Sequence, residues 1–298
     1  MKKIYAILWI PVLFAVCMSF LISCKTEKKE IQEISSRELT LDEAHMLILK
    51  KTLNYRSIAS LDHHRMAMTT GAYTPAAIAS IFIKDNMEMY KPLLINQQLA
   101  MDFPFKILAF SDQDSENAKI AYTSADFLMK RHGLSASDLA FYDQEMKAVI
   151  AALPSNLIVS TDLSTETKDF GVIKMESKYS FDETVSRIRA LIKMNQDARW
   201  FTEIDFQKEA RNYKLDVAPT FLCLFGAPKP GALAMHDAPE IGLDAFCQKV
   251  LVYENKGKTY VCFSDMVAFS KLYYGRSNKG QEIVTKRMTA ALKKAIGI

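Results

Sequence analysis

The most chemical stretch of this chain is His63-His64-Arg65-Met66-Ala67-Met68. Imidazole and thioether side chains suit a soft or borderline metal such as copper. Met235-His236 offers a similar pair further on. A metal- or haem-associated role therefore stands as one reading. Against it, adjacent histidines on a surface turn are ordinarily solvated, and methionines commonly fill cores. A second constellation is a candidate ligand pocket of His132, Met235, His236, Glu240 and Asp265. Each member also has a plainer role. His132 precedes Gly133, where a cation complements the dipole at a helix end. Asp205 and Asp265 suit helix N-caps. Lys249 is either a surface strand residue or one that faces a partner. Enzyme signatures are missing: no Gly-x-Ser-x-Gly, no His-Glu-x-x-His, no phosphate-binding glycine loop and no Cys-x-x-Cys. Binding is thus favoured over catalysis.

The elements that must position these residues are written twice. Lys106-Ile107-Leu108-Ala109-Phe110 corresponds to Lys249-Val250-Leu251-Val252-Tyr253. Ser124 through Gly133 lines up with Met266 through Gly275, and Thr40-Leu41-Asp42-Glu43 with Ser180-Phe181-Asp182-Glu183. The last pair are Ser/Thr-x-x-Glu capping boxes. Phe181, Val185, Ile188 and Ile192 recur at helical spacing, as do Val284, Met288, Leu292 and Ile296. Asn255-Lys256-Gly257 between two apolar runs predicts a hairpin. Gly226 to Gly231, with Pro228 and Pro230, reads as a turn cluster with glycines at φ > 0, followed by a short helix over Ala232 to Asp237. The expected fold class is α+β: two related domains, each a mainly antiparallel sheet with helices packed on it. The boundaries read as 31–153 for the first repeat, 154–168 for a linker rich in Ser, Thr and Asp, and 169–298 for the second. An intramolecular pseudo-dimer follows as an expectation. A site at its junction, one half-motif from each repeat, is the route by which an enzyme would arise.

Composition bounds the partners. Lys plus Arg number 38 and Asp plus Glu 34, for a formal charge of +4, of which Lys2 and Lys3 supply two. No basic block with interleaved aromatics occurs, so nucleic acid is not an expected partner. Met1-Lys2-Lys3, an apolar run to Ile22, then Ser23-Cys24, has the order of a secretory signal. Leu21-Ile22-Ser23-Cys24 resembles the lipobox of bacterial lipoproteins. That resemblance implies cleavage after residue 23, palmitate-type acylation of Cys24, and a short tether over 24–30. The competing reading is an uncleaved span, since the uncharged stretch from Ile4 to Ile22 approaches the ~20 residues a bilayer needs. Either places the remainder in the cell envelope on the non-cytoplasmic side, periplasmic or surface-exposed, and for the lipid-anchored form the outer membrane is preferred to the inner. Of five cysteines, Cys223, Cys247 and Cys262 remain after Cys17 and Cys24. Buried thiols are expected, with one disulfide plus a lone thiol as the alternative.

The second repeat resembles the domain of unknown function 302 family. The residues that carry this are Phe170-Gly171-Val172, Thr202-Glu203-Ile204-Asp205, Leu224-Phe225-Gly226-Ala227-Pro228-Lys229 and Met235 through Gly242. The first repeat is similar to it more distantly. It has Ile83-Lys84-Asp85-Asn86 in place of the glycine-proline motif, yet keeps Lys130-Arg131-His132-Gly133-Leu134. The resemblance implies a compact α+β domain, often dimeric, with no established activity or cofactor.

Overall fold

The computed structural model describes residues 38–112, 115, 117–245 and 248–298. The signal, the tether with Cys24, and Cys247 lie outside the described residues. The first unit runs α1 (Leu41–Lys51), β1 (Arg56–Asp62), α2 (His63–Met68), β2 (Ala77–Ile83), β3 (Phe105–Phe110), β4 (Lys119–Tyr122), α3 (Ala125–His132) and α4 (Ala140–Ala151). The second begins with β5 (Val172–Glu176). It continues as α5 (Phe181–Met194), β6 (Arg199–Asp205), α6 (Phe206–Arg211), β7 (Thr220–Gly226), α7 (Pro228–Met235), β8 (Gln248–Asn255), β9 (Lys258–Ser264), α8 (Met266–Tyr274) and α9 (Lys279–Ala295). The class is α+β, with two antiparallel sheets.

Sheet order is β1-β2-β3-β4 in one unit and β5-β9-β8-β7-β6 in the other. The elements they share follow in the same order, and the second unit adds α7 between β7 and β8. A further difference is at one edge. In the second unit β5 pairs antiparallel with β9. The corresponding edge of β4 instead holds Ile158 of the connecting segment, bridged parallel to Ile120.

Local chemistry explains the ends of these elements. Thr40 and Glu43 form the full reciprocal capping box of α1. At α5 the Ser180 hydroxyl accepts from the Glu183 N–H, but the Glu183 carboxylate is drawn to Arg187 Nε at 2.7 Å instead. Asp205 and Asp265 cap α6 and α8, accepting from the N–H groups of Lys208 and Val267. The β8–β9 hairpin closes through Lys256 and Gly257 at φ 52° and 72°, a pair of positive φ values that matches the twist of the flanking strands. The turn reading of 226–231 is corrected. Neither Gly226 nor Gly231 has positive φ, and α7 starts at Pro228. Proline at the first helical position forfeits only an N–H that would be orphaned anyway, so the prolines open the helix rather than delay it.

Period-two alternation divides the core. On β7 and β8, Leu222, Leu224, Leu251 and Tyr253 join the large core shared by both units, whereas Phe221, Cys223, Val250 and Val252 face a smaller core under α5 and α9. Cys223 and Cys262 are free and buried, and they belong to different cores on opposite faces of the sheet. They do not face one another, and burial pushes each thiol up to about 12, which leaves them inert.

The two units exchange their crossing turns. A 3-10 turn at Gln97–Met101, between β2 and β3, packs on β7, β8 and β9, while the one at Pro239–Gly242, between β7 and β8, packs on β2 and β3. Gln97 seals the first contact by donating to Pro219 O at 3.1 Å and Thr220 Oγ1 at 2.7 Å. In the second unit α7 and α9 meet at Gly280, where an added Cβ would lie 2.7 Å from the Leu233 carbonyl oxygen. Helix propensity alone would favour alanine there by up to ~1 kcal/mol. The backbone clash should win: Gly280→Ala is expected to lose about 1–3 kcal/mol in urea unfolding, and a variant as stable as wild type would contradict the close approach.

Candidate functional site

The exchanged turns bring buried charge to the junction. Lys106 and Lys249 are the second residues of β3 and β8; they are 1% and 6% exposed. The end of each crossing segment supplies an acid. Asp102 follows the first turn directly, and Asp244 lies two residues beyond the second. Lys106 Nζ stands 3.3 Å from Asp102 Oδ1 and 2.5 Å from Asp244 Oδ1, so one ammonium ties both units. Lys249 Nζ donates to Leu243 O at 3.2 Å.

Each acid is then gripped by the residue two before a capping glycine. Gly133 and Gly275 end α3 and α8 in the left-handed conformation, at φ 63° and 68°. Arg131 donates from Nη1 to both Asp102 oxygens at 2.9 Å. Tyr273 donates to Asp244 Oδ2 at 2.6 Å. Arg131 is wholly buried and reaches into the second unit, with Nε on Phe170 O, Nη2 on Ser264 Oγ, and the guanidinium 4.9 Å from the Phe269 ring centre. The neighbouring positions also correspond in use: His132 Nε2 meets Asp102 Oδ2 at 2.7 Å, and Tyr274 OH accepts from the Glu240 N–H.

Burial raises the carboxyls of Asp102 and Asp244. For Asp102 the charges of Arg131 and Lys106 outweigh it and hold the group well below the usual range. For Asp244 the ammonium groups of Lys106 and Lys249 outweigh burial and lower the group. Burial lowers Lys106, but the two carboxylates overcome this and raise it. His132 goes the other way: desolvation exceeds the pull of Asp102, so its pKa is lowered.

A cleft of about 480 Å3 opens on this network. Its walls are β4, α3 and the connecting strap over 158–163; its floor is Thr123, Asp244 and Tyr273. Thr123 Oγ1 donates to Asp244 Oδ1 at 3.1 Å. The strap is tied by Val159 N–H to Ile120 O, by Lys130 Nζ to Leu163 O, and by Thr161 Oγ1 to Glu240 Oε1 at 3.3 Å. Burial raises Glu240 to about 7. Glu166, at the end of the strap, is 7% exposed with neither carboxyl oxygen hydrogen-bonded. Desolvation, only partly offset by Arg131 and Lys130, raises it to about 8.

The residues singled out from sequence are dispersed by the fold. His132 lies in the sealed network and Glu240 beside the cleft. Met235 is fully buried, packing towards Gly242, and His236 is exposed with its ring 6.4 Å from that of Tyr73. Asp265 lines a separate cavity with Phe170 and Lys271. Of the histidine-methionine cluster, His63 is buried against Gly242 with its pKa pushed down to about 3 by desolvation and Lys249. His64 Nδ1 meets Thr74 O, Met66 packs on the core, and Met68 is 60% exposed. Among the described residues no group of three or more His, Cys, Asp or Glu is arranged to hold a metal. Asp102, Lys106, Arg131, Asp244 and Tyr273 escaped the sequence reading. The signal was an acid four or five positions before a lysine that is the second residue of an otherwise apolar strand, Asp102 before Lys106 and Asp244 before Lys249.

Residues 173–296 match the domain of unknown function DUF302. A crystal structure of an uncharacterized conserved protein DUF302 from Bacillus stearothermophilus is similar at 13% identity and TM-score 0.35, over 43% of this chain and 96% of that one. The Fluoride-specific ion channel FluC 1 of Brucella suis biovar 1 is 32% identical over 97 residues, 33% of this chain and 38% of the channel. The protein of the same name from Brucella abortus biovar 1 is 32% identical over 97 residues and 36% of its length. The chain thus spans well under half the length of these relatives. Among the described residues no helix is long and apolar enough to cross a membrane.

Proposed function

We propose that the chain is a lipid-anchored envelope protein in which two repeats form an intramolecular pseudo-dimer that binds a small molecule in the cleft between them. The observation that carries this is the composite build of the cleft. Thr123 and α3 come from residues 31–153, the strap from the linker, and Asp244 and Tyr273 from residues 169–298. A volume of about 480 Å3 falls within the range of small-ligand sites. Duplication is supported by the shared strand order and by the matched pairs Lys106 with Lys249, Arg131 with Tyr273, and Gly133 with Gly275. Channel activity remains a property of the relatives that bear that name.

Two experiments test the parts separately. Lipidation predicts that the full chain, expressed in a bacterium fed labelled palmitate, takes up label and fractionates with the outer membrane. Cys24→Ala should abolish both, and an unchanged label would overturn the anchor. For the cleft, Ser160→Trp places an indole at the mouth from an exposed strap position. Ligands found by thermal shift on the wild type stabilise it by mass action. They should fail to shift the Ser160→Trp variant, and a shift that survives would place binding elsewhere.

A further inference from the structure

The polar atoms on the cleft floor define what they lack. Asp244 is 2% exposed. Among the described residues its Oδ1 accepts from Lys106 and Thr123, and its Oδ2 accepts from Tyr273. A carboxylate has about four acceptor sites, so Oδ2 has one to spare. Thr123 and Tyr273 direct their protons at Asp244 and thus present lone pairs to the cleft. Nearer the mouth the balance reverses. Ser124 Oγ accepts from the Phe127 N–H, leaving its proton available, and Tyr122 adds a second hydroxyl. The inner end calls for donors and the outer end offers both kinds of partner. A hydroxyl group, both donor and acceptor, meets that pattern at each point.

Charge selects against ions. The negative charge of Asp244 is met by Lys106 at 2.5 Å, so a cationic ligand would compete with a partner already in place. An anion would face Asp126, Asp162 and Asp244, with Lys130 as the cation lining the same cleft. Between the polar groups lie Ala121, Phe127, Ile158 and Leu243, apolar surface suited to the C–H face of a ring.

We propose that the cleft takes a neutral polyhydroxylated molecule of monosaccharide size, with Asp244 Oδ2 accepting from a ligand hydroxyl and the Thr123 and Tyr273 oxygens completing its contacts. This rests on the reading of the cleft as the binding site. The test is calorimetric titration of the full chain with glucose, mannitol and glycerol, against putrescine and succinate. At least one neutral probe should bind saturably. Thr123→Val should weaken it roughly tenfold by removing one oxygen, and Ser160→Trp should abolish it. Thr123→Val alters a buried contact of Asp244, whereas Ser160→Trp changes an exposed residue, so the second variant carries the test if the first unfolds. Binding of putrescine or succinate alone, lost in Ser160→Trp, would overturn the neutral class and keep the cleft. Binding of no probe, or binding undiminished by Ser160→Trp, would overturn both readings.

Discussion

Asp102→Ala is expected to destabilise the protein by about 3–5 kcal/mol, the range for removing one partner of a buried ion pair. The reason is what remains. Arg131 is fully buried, and Asp102 is the carboxylate it holds in both contacts of 2.9 Å. Without it the guanidinium keeps Phe170 O, Gly171 O and Ser264 Oγ, none of which carries charge. His132 loses its acceptor as well. Lys106 survives better, since Asp244 remains. Urea unfolding of Asp102→Ala measures the cost, with Asp126→Ala on the exposed cleft wall as the control, expected within ~0.5 kcal/mol of wild type. The double variant Asp102→Leu with Arg131→Met should regain much of the loss, because apolar replacement of a whole buried pair is often neutral or better. A single variant that costs less than ~1 kcal/mol, or a double variant no better than the single, would mean that the charges are not sealed from water.

Stability should also fall as pH rises from about 6.5 to about 8, and Glu166→Gln should remove most of that fall. The sign follows from proton counts. In the folded state Glu166 is raised from 4.5 to about 8, so between those values the native state holds a proton that the unfolded state has released. Its contribution to stability then declines with pH across that window and levels off above it. At ~1.36 kcal/mol per unit the stretch from about 6.5 to about 8 sets an upper bound of about 2 kcal/mol, and about 1–2 kcal/mol is expected once partial hydration is allowed for. Glu240, raised to about 7 and only half-buried, adds a smaller slope of the same sign. Asp102 and Asp244, both held below the ordinary value, act oppositely. Their contribution is present above about pH 4 and is lost on acidification. His63 and His132, lowered by burial, act in the same sense from about pH 6.5 downwards, because the unfolded chain takes up protons that the native state refuses. The optimum should therefore lie near pH 6.5. Thermal melts of wild type and Glu166→Gln from pH 4 to 9 test this. A wild-type curve that is flat between 6.5 and 8 would show that Glu166 ionises freely.

Local features of the fold were legible because their causes are local. The Asn255-Lys256-Gly257 hairpin needs only two residues at positive φ, and the cap at Thr40 needs only its neighbour Glu43. The stripe Met288, Leu292 and Ile296 is buried as its spacing requires. The helix at Pro228 was misread because proline and glycine punctuate turns and helix starts alike. The site was harder for a different reason. Lys106 and Asp244 are 138 positions apart, and they meet only because each unit sends a crossing turn onto the other's sheet. Nothing in the sequence sets Tyr273 apart from a packing tyrosine, and its hydroxyl acquires a role only beside Asp244. Repeat matching had paired Arg131 with Tyr273 and Lys106 with Lys249. What it lacked was the knowledge that both ends of each pair point inward.

The most direct test of the cleft as a composite binding site is a crystal structure of the full protein soaked with glucose. The account predicts ordered density for the sugar between the strap and α3, with one hydroxyl within hydrogen-bond distance of Asp244 Oδ2. A cleft that holds only water in crystals where glucose is bound elsewhere on the chain would contradict it.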